Sequence, residues 1–365
     1  MTLVTRLETS PRESLPKEPE GAPDLSARAP EAAPEAAPAP GFSARAPEAA
    51  LRQAPVKAPR AKFTAPDTVS GGPFAELPKR GTRERKALDA IVKLVERLYG
   101  EDIDARVATI NLKCNEAGFD PFGFDPDVAR YVLAVMTFVH RTYFRTEVTG
   151  IEGVPMGRAL FVANHSGQIP IDGMLIATAL IMDRSRPILA RAMVEKWAQR
   201  LPFVSVLFMR VGQVLGSPDN ARRLLEAEHP LLVFPEGARG ISKPFSERYK
   251  LAEFGPGFMR LALETNAPVV PVAVIGGEEQ YPAIANIGSL ARLLGMPSFP
   301  VVPQLLLGVP LPLPTKYRLH FGEPMYFQGD PDEDDVEINA RVESVREAIR
   351  GMVSRGLSAR EHIFW

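Results

Sequence analysis

Polar side chains that could take part in acid–base chemistry follow an apolar run at residues 159–163. They are Asn164, His165, Ser166, Gln168 and Asp172. Histidine is the side chain best suited to accept a proton near neutral pH. A carboxylate bound to its second ring nitrogen fixes the tautomer and stabilises the imidazolium. The segment therefore indicates His165 as a general base and Asp172 as the residue that orients it.

The spacing of this pair sets a condition on the loop between them. If residues 165–172 were helical, the two side chains would stand about 10 Å apart along the axis, too far for a hydrogen bond. Gly167 and Pro170 make a fold-back turn plausible, with Asp172 near the start of the next helix. Taken alone, the segment favours a structural alternative, a hydrogen-bonded histidine and an aspartate that caps a helix.

A second polar group follows the apolar run Leu231–Phe234. Glu236 and Arg239 stand in a turn that Gly237 and Gly240 make flexible. A guanidinium is a forked donor for phosphate or carboxylate, so this turn could bind an acidic ligand. The alternative is a Glu–Arg ion pair on a surface turn.

These residues need a scaffold, and the chain after Gly150 alternates short apolar runs with amphipathic stretches. Such alternation predicts an α/β fold, a central and mostly parallel sheet flanked by helices, with site loops gathered at one edge. The predicted strands are 159–163, 187–190, 211–215, 231–234, 269–275 and 317–321. The predicted helices are 172–182, 220–227, 257–265 and 335–353. Arg210 would then lie at the mouth of the third strand.

The sequence before Gly150 predicts two further regions. Residues 1–80 are rich in Pro, Ala and Glu, and the octapeptide SARAPEAA occurs at 26–33 and at 43–50. This composition predicts a disordered tail. Residues 82–146 predict an N-terminal helical subdomain. The α/β domain would then span 147–330, followed by a C-terminal helix and tail at 331–365.

The helical subdomain contains helical stretches at 82–99 and 102–116 and a third helix that begins at Asp125-Pro126-Asp127. In the third helix, apolar side chains recur at the spacing of one helical face, and basic residues flank that face. They are Val128, Tyr131, Val132, Val135, Val139 and Tyr143. Such a helix either packs on its own domain, which is the commoner case, or lies on a membrane surface.

An apolar stretch at 299–314 has Gln304 as its one polar side chain and contains five prolines, which predict that it forms no regular helix. Three placements stay open: packing against the protein, lining an apolar groove, or lying at the interfacial layer of a membrane.

Four blocks resemble, in order and approximate spacing, those of the glycerolipid (lysophospholipid) acyltransferase family. They are Asn164-His165…Asp172, Phe208…Arg210…Gly212, Phe234-Pro-Glu-Gly-Ala-Arg-Gly240 and Val270-Pro-Val-Ala-Val274. The resemblance covers roughly residues 128–327, and its most specific element is Phe-Pro-Glu-Gly-x-Arg after an apolar strand.

The resemblance implies transfer of an acyl group from a thioester, acyl-CoA or acyl carrier protein, to a hydroxyl acceptor. The first expectation for the acceptor is 1-acylglycerol-3-phosphate, and the alternative is a mono- or diacylglycerol or another lipid alcohol. The resemblance implies that His165 is the base and Asp172 its partner. It assigns the remaining site positions to acceptor binding (Arg210, Glu236, Gly237, Arg239) or to support (Asn164, Ser166, Gln168, Pro271).

Two features depart from the family pattern and leave the acceptor open. Six residues separate His165 from Asp172, where four are usual, and this wording resembles the monoacylglycerol and diacylglycerol acyltransferase group. Position 240 is Gly where many members have Ser. A hypothesis from another class also remains, a non-catalytic lipid-binding or scaffold protein at the membrane surface.

Composition limits the partners. Lys and Arg number 43 against 44 Asp and Glu, which argues against a nucleic-acid partner. Cys114 is the single cysteine and the five histidines are scattered, so we expect no disulfide, no metal and no cofactor besides the acyl donor. No signal peptide or 18-residue apolar run is visible, so we expect a cytoplasmic protein peripheral to the membrane.

Overall fold

The computed structural model describes residues 77–110, 114–115, 118–166, 169–194, 204–294, 299–306, 308 and 311–365. The expected disordered tail falls almost wholly outside these ranges, as does Gln168. Among the described residues, no helix combines the length and the apolar character needed to cross a bilayer.

A seven-stranded sheet forms the centre of the described structure, in the order β1-β9-β6-β2-β5-β3-β4. Its strands are β1 (Glu147–Thr149), β2 (Leu160–Ala163), β3 (Arg191–Val194), β4 (Val214–Leu215), β5 (Leu231–Val233), β6 (Val269–Ile275) and β9 (Arg318–Phe321). The neighbours are parallel except β6 and β9, which are antiparallel. The prediction of a mostly parallel sheet is confirmed.

The other elements of the described structure are α-helices, a smaller sheet and three short turns, π-helical at Val139–Tyr143 and 3-10 at Ile151–Gly153 and Phe245–Glu247. The helices are α1 (Arg83–Tyr99), α2 (Ile103–Thr109), α3 (Pro126–Phe138), α4 (Ile171–Met182), α5 (Val204–Arg210), α6 (Pro218–Glu226), α7 (Ala238–Ile241), α8 (Gly257–Thr265), α9 (Gly277–Gln280), α10 (Gly288–Leu294), α11 (Pro303–Leu306) and α12 (Asp335–Ser358). Strands β7 (Ala285–Asn286) and β8 (Pro300–Val301) pair antiparallel, apart from the main sheet.

The side chains of β2 alternate between two apolar cores, one on each face of the sheet. Phe161 packs in the core that α4 closes, with Leu175 and Ile176. Leu160 and Val162 pack in the opposite core, which α6, α8 and α12 close. Helices on both faces explain why the central strands are apolar throughout rather than alternating with polar residues.

The central strands also fix where the site loops emerge. β2 lies between β5 and β6, with Leu160 in register with both Leu231 and Val269. Because β2 and β5 are parallel neighbours, their carboxyl ends meet at one edge of the sheet. His165 follows β2 and Glu236 follows β5, so both loops start at this edge.

The N-terminal helices pack on one another and on the end of α4. Asp125 caps α3 by accepting the backbone N–H groups of Asp127 and Val128, with Pro126 in the first turn, as the sequence predicts. The expected single apolar face is wrong in part: Val135 is 53% exposed. α3 packs against α1, α2 and α4, so it is buried on more than one side, and Leu133, Ala134 and Thr137 are inside instead.

Several predicted boundaries are wrong. The expected strand at 187–190 lies one segment later, as β3, and the expected strand at 211–215 shrinks to β4. Arg210 consequently ends the helix α5 and does not stand at the mouth of a strand. α2 ends at Thr109, and the short edge strand β1 has no counterpart among the predictions. Short edge strands carry little hydrophobic pattern, which explains that omission.

The proline-rich stretch at 299–314 contains one pair of strand residues and one helical turn, both short. β8 pairs with β7, and α11 starts at Pro303, where a proline needs no N–H partner. Gln304 is buried and its amide donates to the Gln280 carbonyl at 2.7 Å. Leu311 is 62% exposed. This stretch therefore packs partly against the protein and leaves apolar surface open.

Candidate active site

His165 and Asp172 form a hydrogen-bonded pair at the carboxyl edge of the sheet. His165 Nδ1 lies 2.8 Å from Asp172 Oδ2. The aspartate side chain is fully buried, and 12% of the histidine side chain is exposed. An ionised carboxylate accepts from Nδ1–H, which leaves Nε2 as the nitrogen with a free lone pair. The imidazole also stacks on Phe234, with ring centroids 4.1 Å apart.

The start of α4 is what brings the aspartate back to the histidine. Asp172 is the second residue of that helix, where the helix dipole stabilises a negative charge. Its Oδ2 also accepts the backbone N–H of Ser166 at 2.8 Å, and Oδ1 lies 2.8 Å from the Gly173 nitrogen. The pair therefore forms although six residues separate the two positions.

Glu236 holds the backbone of this loop in place. Its Oε1 accepts the backbone N–H of His165 at 3.0 Å, and its Oε2 accepts the N–H of Ala252 at 2.8 Å. The Glu236 side chain is fully buried. Glu236 thus connects the His165 loop to the segment at Ala252, and both of its oxygens accept hydrogen bonds from the protein.

Two glycines allow the Phe-Pro-Glu-Gly-Ala-Arg-Gly turn to lie this close to the histidine. Gly237 has φ 55° and ψ −146°, a backbone conformation that residues other than glycine rarely adopt. A Cβ on Gly240 would lie 2.7 Å from His165 Cβ and 3.0 Å from Glu236 Cβ. Gly240 is therefore a contact between the two loops, which explains the absence of a serine there.

The two arginines of the predicted acceptor site have different surroundings. Arg239 is exposed and donates to the carbonyl oxygen of Glu253 at 3.1 Å. Arg210 is mostly buried, with Nη1 3.8 Å from Asp125 Oδ2 and its guanidinium over the Phe119 ring. Both arginines have an anionic neighbour, because Arg239 Nη1 lies 3.5 Å from Glu253 Oε2, but Arg239 is the more exposed of the two.

Two of the supporting residues, Asn164 and Ser166, follow the carboxyl end of β2. Asn164 joins β2 to β6, donating to the Val274 carbonyl at 3.0 Å and accepting its N–H at 2.7 Å. Ser166 is fully buried beside Asp172, with Oγ 3.4 Å from Oδ2. Pro271 sits within β6 in register with Val162, further from the strand end than the other site residues.

A buried charged cluster beside the site has no counterpart among the sequence predictions. The Lys243 ammonium lies 3.4 Å from Glu236 Oε2 and 3.0 Å from Glu278 Oε1. Burial raises the pKa of Glu278 to about 7, although the ion pair with Lys243 acts in the opposite direction. The consecutive acids Glu278 and Glu279 directly after β6 were a signal, since that strand ends at the same edge. Nothing in the sequence marks Lys243.

A second set of contacts connects this cluster to the C-terminal segment. The Tyr249 hydroxyl donates to Glu279 and accepts the backbone N–H of Gly276 at 2.8 Å. Arg360 pairs with Glu279 at 2.8 Å. Burial, followed by the charge of Glu279, raises the pKa of Tyr249 well above its usual value, so the hydroxyl stays protonated as a donor.

Comparison with known sequences decides the family. The acyltransferase family profile matches residues 145–275. An uncharacterised protein of Mycobacterium leprae is 38% identical over 255 residues, 67% of this chain and 70% of its own. An uncharacterised protein of Mycobacterium tuberculosis is 38% identical over 256 residues, 67% of this chain and 71% of its own. The chain belongs to the acyltransferase family.

Two more distant relatives of this acyltransferase have names that state an activity. A probable 1-acyl-sn-glycerol-3-phosphate acyltransferase of Mycoplasma pneumoniae is 22% identical over 166 residues, 43% of this chain and 59% of its own. The crystal structure of a 1-acyl-sn-glycerophosphate acyltransferase from Thermotoga maritima matches with a TM-score of 0.42 and 19% identity, covering 76% of this chain and 97% of that one. The family confirms the prediction of an enzyme that transfers acyl groups.

Proposed function

We propose that this acyltransferase moves a fatty acyl group from an acyl thioester, acyl-CoA or acyl carrier protein, to the hydroxyl of a glycerolipid. The observation that carries the proposal is the hydrogen bond of 2.8 Å between His165 Nδ1 and Asp172 Oδ2. It fixes the tautomer in which Nε2 can accept a proton. No metal or further cofactor enters the reaction as proposed.

In the proposed reaction, His165 Nε2 takes the hydroxyl proton as the acceptor oxygen attacks the thioester carbonyl carbon. A carbon–oxygen bond forms, the carbon–sulfur bond then breaks, and the thiolate receives the proton from the imidazolium. Asp172 stabilises the imidazolium without taking the proton itself. General-base catalysis of this kind contributes roughly 10²- to 10⁴-fold to the rate.

The acceptor we favour is 1-acylglycerol-3-phosphate. Arg239 is the support for this choice, because its guanidinium stands exposed on the turn that also carries Glu236. An exposed guanidinium can bind a phosphate through two parallel hydrogen bonds. The name of the Mycoplasma pneumoniae relative, a probable 1-acyl-sn-glycerol-3-phosphate acyltransferase, supports the same acceptor.

A neutral mono- or diacylglycerol is the second candidate, and one contact favours it. Arg210 lies against Asp125 and the ring of Phe119, so its charge is already compensated within the protein. A phosphate would have to compete with that carboxylate for Arg210.

We also propose that the enzyme acts as a peripheral protein at the cytoplasmic face of a membrane, where its acceptor would reside. Exposed apolar side chains between β6 and β9 support this placement: Ile284, Ile287 and Leu311. Flotation with vesicles of phosphatidylcholine, alone or with phosphatidylglycerol, tests it. Protein that stays at the bottom of the gradient with both vesicle types would overturn this placement.

An acceptor panel with one acyl-CoA tests the proposed reaction. The parent enzyme, His165→Ala and Arg239→Met are assayed with 1-acylglycerol-3-phosphate and with monoacylglycerol. We expect His165→Ala to abolish turnover of every acceptor. Arg239→Met is expected to raise KM about tenfold for the phosphate-bearing acceptor alone, as loss of a charged hydrogen bond implies. Full activity of His165→Ala would refute the proposed base, and transfer to monoacylglycerol alone would select the second candidate.

A further inference from the structure

The carboxylate of Glu236 is surrounded by hydrogen-bond donors. Oε1 accepts the N–H of His165, while Oε2 accepts the N–H of Ala252 and faces the Lys243 ammonium. A protonated carboxyl group would carry an O–H that points at one of these donors. An ionised carboxylate accepts hydrogen bonds on both oxygens, which fits these donors.

A fully buried carboxylate needs a nearby positive charge, since burial alone favours the neutral acid. Within the described residues, the cation in contact with Glu236 is Lys243, whose side chain is 9% exposed. Its Nζ also donates to the Lys250 carbonyl at 3.0 Å, which fixes the ammonium in the cluster.

Glu278 works against this arrangement from the other side of the ammonium. Its Oε1 lies 3.0 Å from Lys243 Nζ, closer than Glu236 does, and its Oε2 accepts the N–H of Tyr249 at 2.9 Å. The charged and titratable groups that face Glu236 are thus Lys243 from the segment after α7, Glu278 from α9 and His165 from the loop after β2. Removing Lys243 takes this cation away from Glu236, whereas removing Glu278 leaves Glu236 as an acidic partner of Lys243.

We propose that Lys243 is a positioning residue for acyl transfer: it pairs with the Glu236 carboxylate and holds that side chain in place, and the carboxylate fixes the backbone of His165. The inference rests on the proposed role of His165 as the base. Lys243 does not touch the reacting atoms in this scheme. It acts through Glu236 on the direction in which the imidazole points.

The test compares Lys243→Met, Lys243→Arg and Glu278→Gln with the parent enzyme, by kcat and KM for both substrates between pH 5.5 and 9. Lys243→Met keeps an apolar stem of similar length but removes the charge. We expect it to lower kcat roughly 10- to 100-fold, as misplacement of a catalytic group does, with little change in KM.

The other variants separate charge from packing. Lys243→Arg is expected to recover most of the kcat. Glu278→Gln is expected to retain most of the kcat, because Lys243 still pairs with Glu236. Arg222→Met, in an exposed ion pair with Glu264, is the matched control and should behave like the parent.

A loss of kcat in Lys243→Met that Lys243→Arg restores, with kcat retained in Glu278→Gln, supports the inference. An unchanged kcat in Lys243→Met, or an equal loss in Lys243→Met and Glu278→Gln, overturns it. Should Lys243→Met fail to fold, Lys243→Met/Glu278→Gln, which removes one charge of each sign, must show the same loss of kcat, and parent kcat in that variant overturns the inference. An active His165→Ala would instead refute the proposed base, whatever the Lys243 variants do.

Discussion

A methyl group on Gly240 would come within 2.7 Å of the Cβ of His165, nearer than two such carbons approach in real proteins. The same methyl would lie 3.0 Å from the Cβ of Glu236. The loop that carries His165 and the turn that carries Glu236 therefore meet at a glycine. Any side chain at this position must separate the two.

Gly240→Ala is expected to displace the His165 loop. Overpacking of this kind lowers the free energy of unfolding by about 1–3 kcal/mol, and a shifted base lowers kcat roughly 10- to 100-fold. Urea denaturation and steady-state kinetics measure the two effects. Gly257→Ala is the matched control, because nothing lies within 4 Å of its added methyl. A Gly240→Ala enzyme with parent kcat and stability would contradict this contact.

Asp172→Asn should abolish most activity while leaving the loop in place. The amide no longer fixes the proton on His165 Nδ1, and in a comparable serine-protease triad that change costs roughly 10⁴-fold in kcat. The expected result here is a fall of kcat by about 10³- to 10⁴-fold with KM nearly unchanged.

The opposite end of α4 supplies a matched control for that variant. Asp183, just after the helix, lies 2.7 Å from Nε2 of the fully buried His140. Asp183→Asn breaks a His–Asp pair of similar length outside the proposed site. It is expected to lower stability and to retain kcat. Equal losses of kcat in both variants would show that Asp172 acts only through folding.

Asp125→Asn tests whether Arg210 binds a phosphate. Asparagine caps a helix as well as aspartate does, so α3 should keep its start. The negative charge 3.8 Å from Arg210 is lost, however. If the acceptor phosphate meets Arg210, KM for 1-acylglycerol-3-phosphate should fall severalfold, while KM for monoacylglycerol stays the same. An unchanged KM for both acceptors would remove Arg210 from the acceptor site.

His229 should make the enzyme less stable in acid. Burial, followed by the positive charge of Arg191, lowers the pKa of His229 to about 4. The folded state thus resists a proton that the unfolded chain binds near pH 6.5, so stability is lost as pH falls from about 6.5 towards 4. A difference of this size corresponds to roughly 3 kcal/mol.

His229→Gln is expected to flatten this part of the stability profile, measured by urea denaturation at pH 7.5 and pH 4.5. His362→Gln, at an exposed position, is the control and should retain the parent slope. A parent slope in His229→Gln would assign the acid sensitivity to other groups.

The sequence predicted the layers of the fold because the spacing of apolar residues shows which face of each helix or strand is buried. The strand β6 and the helix α8 have the bounds that their apolar runs predict, Val269–Ile275 and Gly257–Thr265. Edge strands such as β1 were missed because one neighbour and three residues leave little pattern. The position of Arg210 was wrong because an apolar run of this length fits a helix as well as a strand.

The contact between His165 and Asp172 was also expected from the sequence, because the glycine and proline between them allow the chain to turn back, while their proposed roles came from the family resemblance. The positions of Lys243 and Glu278 beside Glu236 were not found from the sequence. Those two side chains meet Glu236 from segments that follow different strands, and contacts between distant segments depend on how loops fold over the sheet edge. Local spacing contains no record of such contacts.

The antiparallel pairing of β6 with β9 has an evolutionary consequence. The segment between these adjacent strands, with α9, α10, α11 and the β7–β8 ladder, leaves and re-enters the sheet beside itself. Insertions or deletions there need not disturb β2 or β5, which present His165 and Glu236. Relatives can therefore differ in the length and composition of this segment while β2 and β5 keep their places in the sheet.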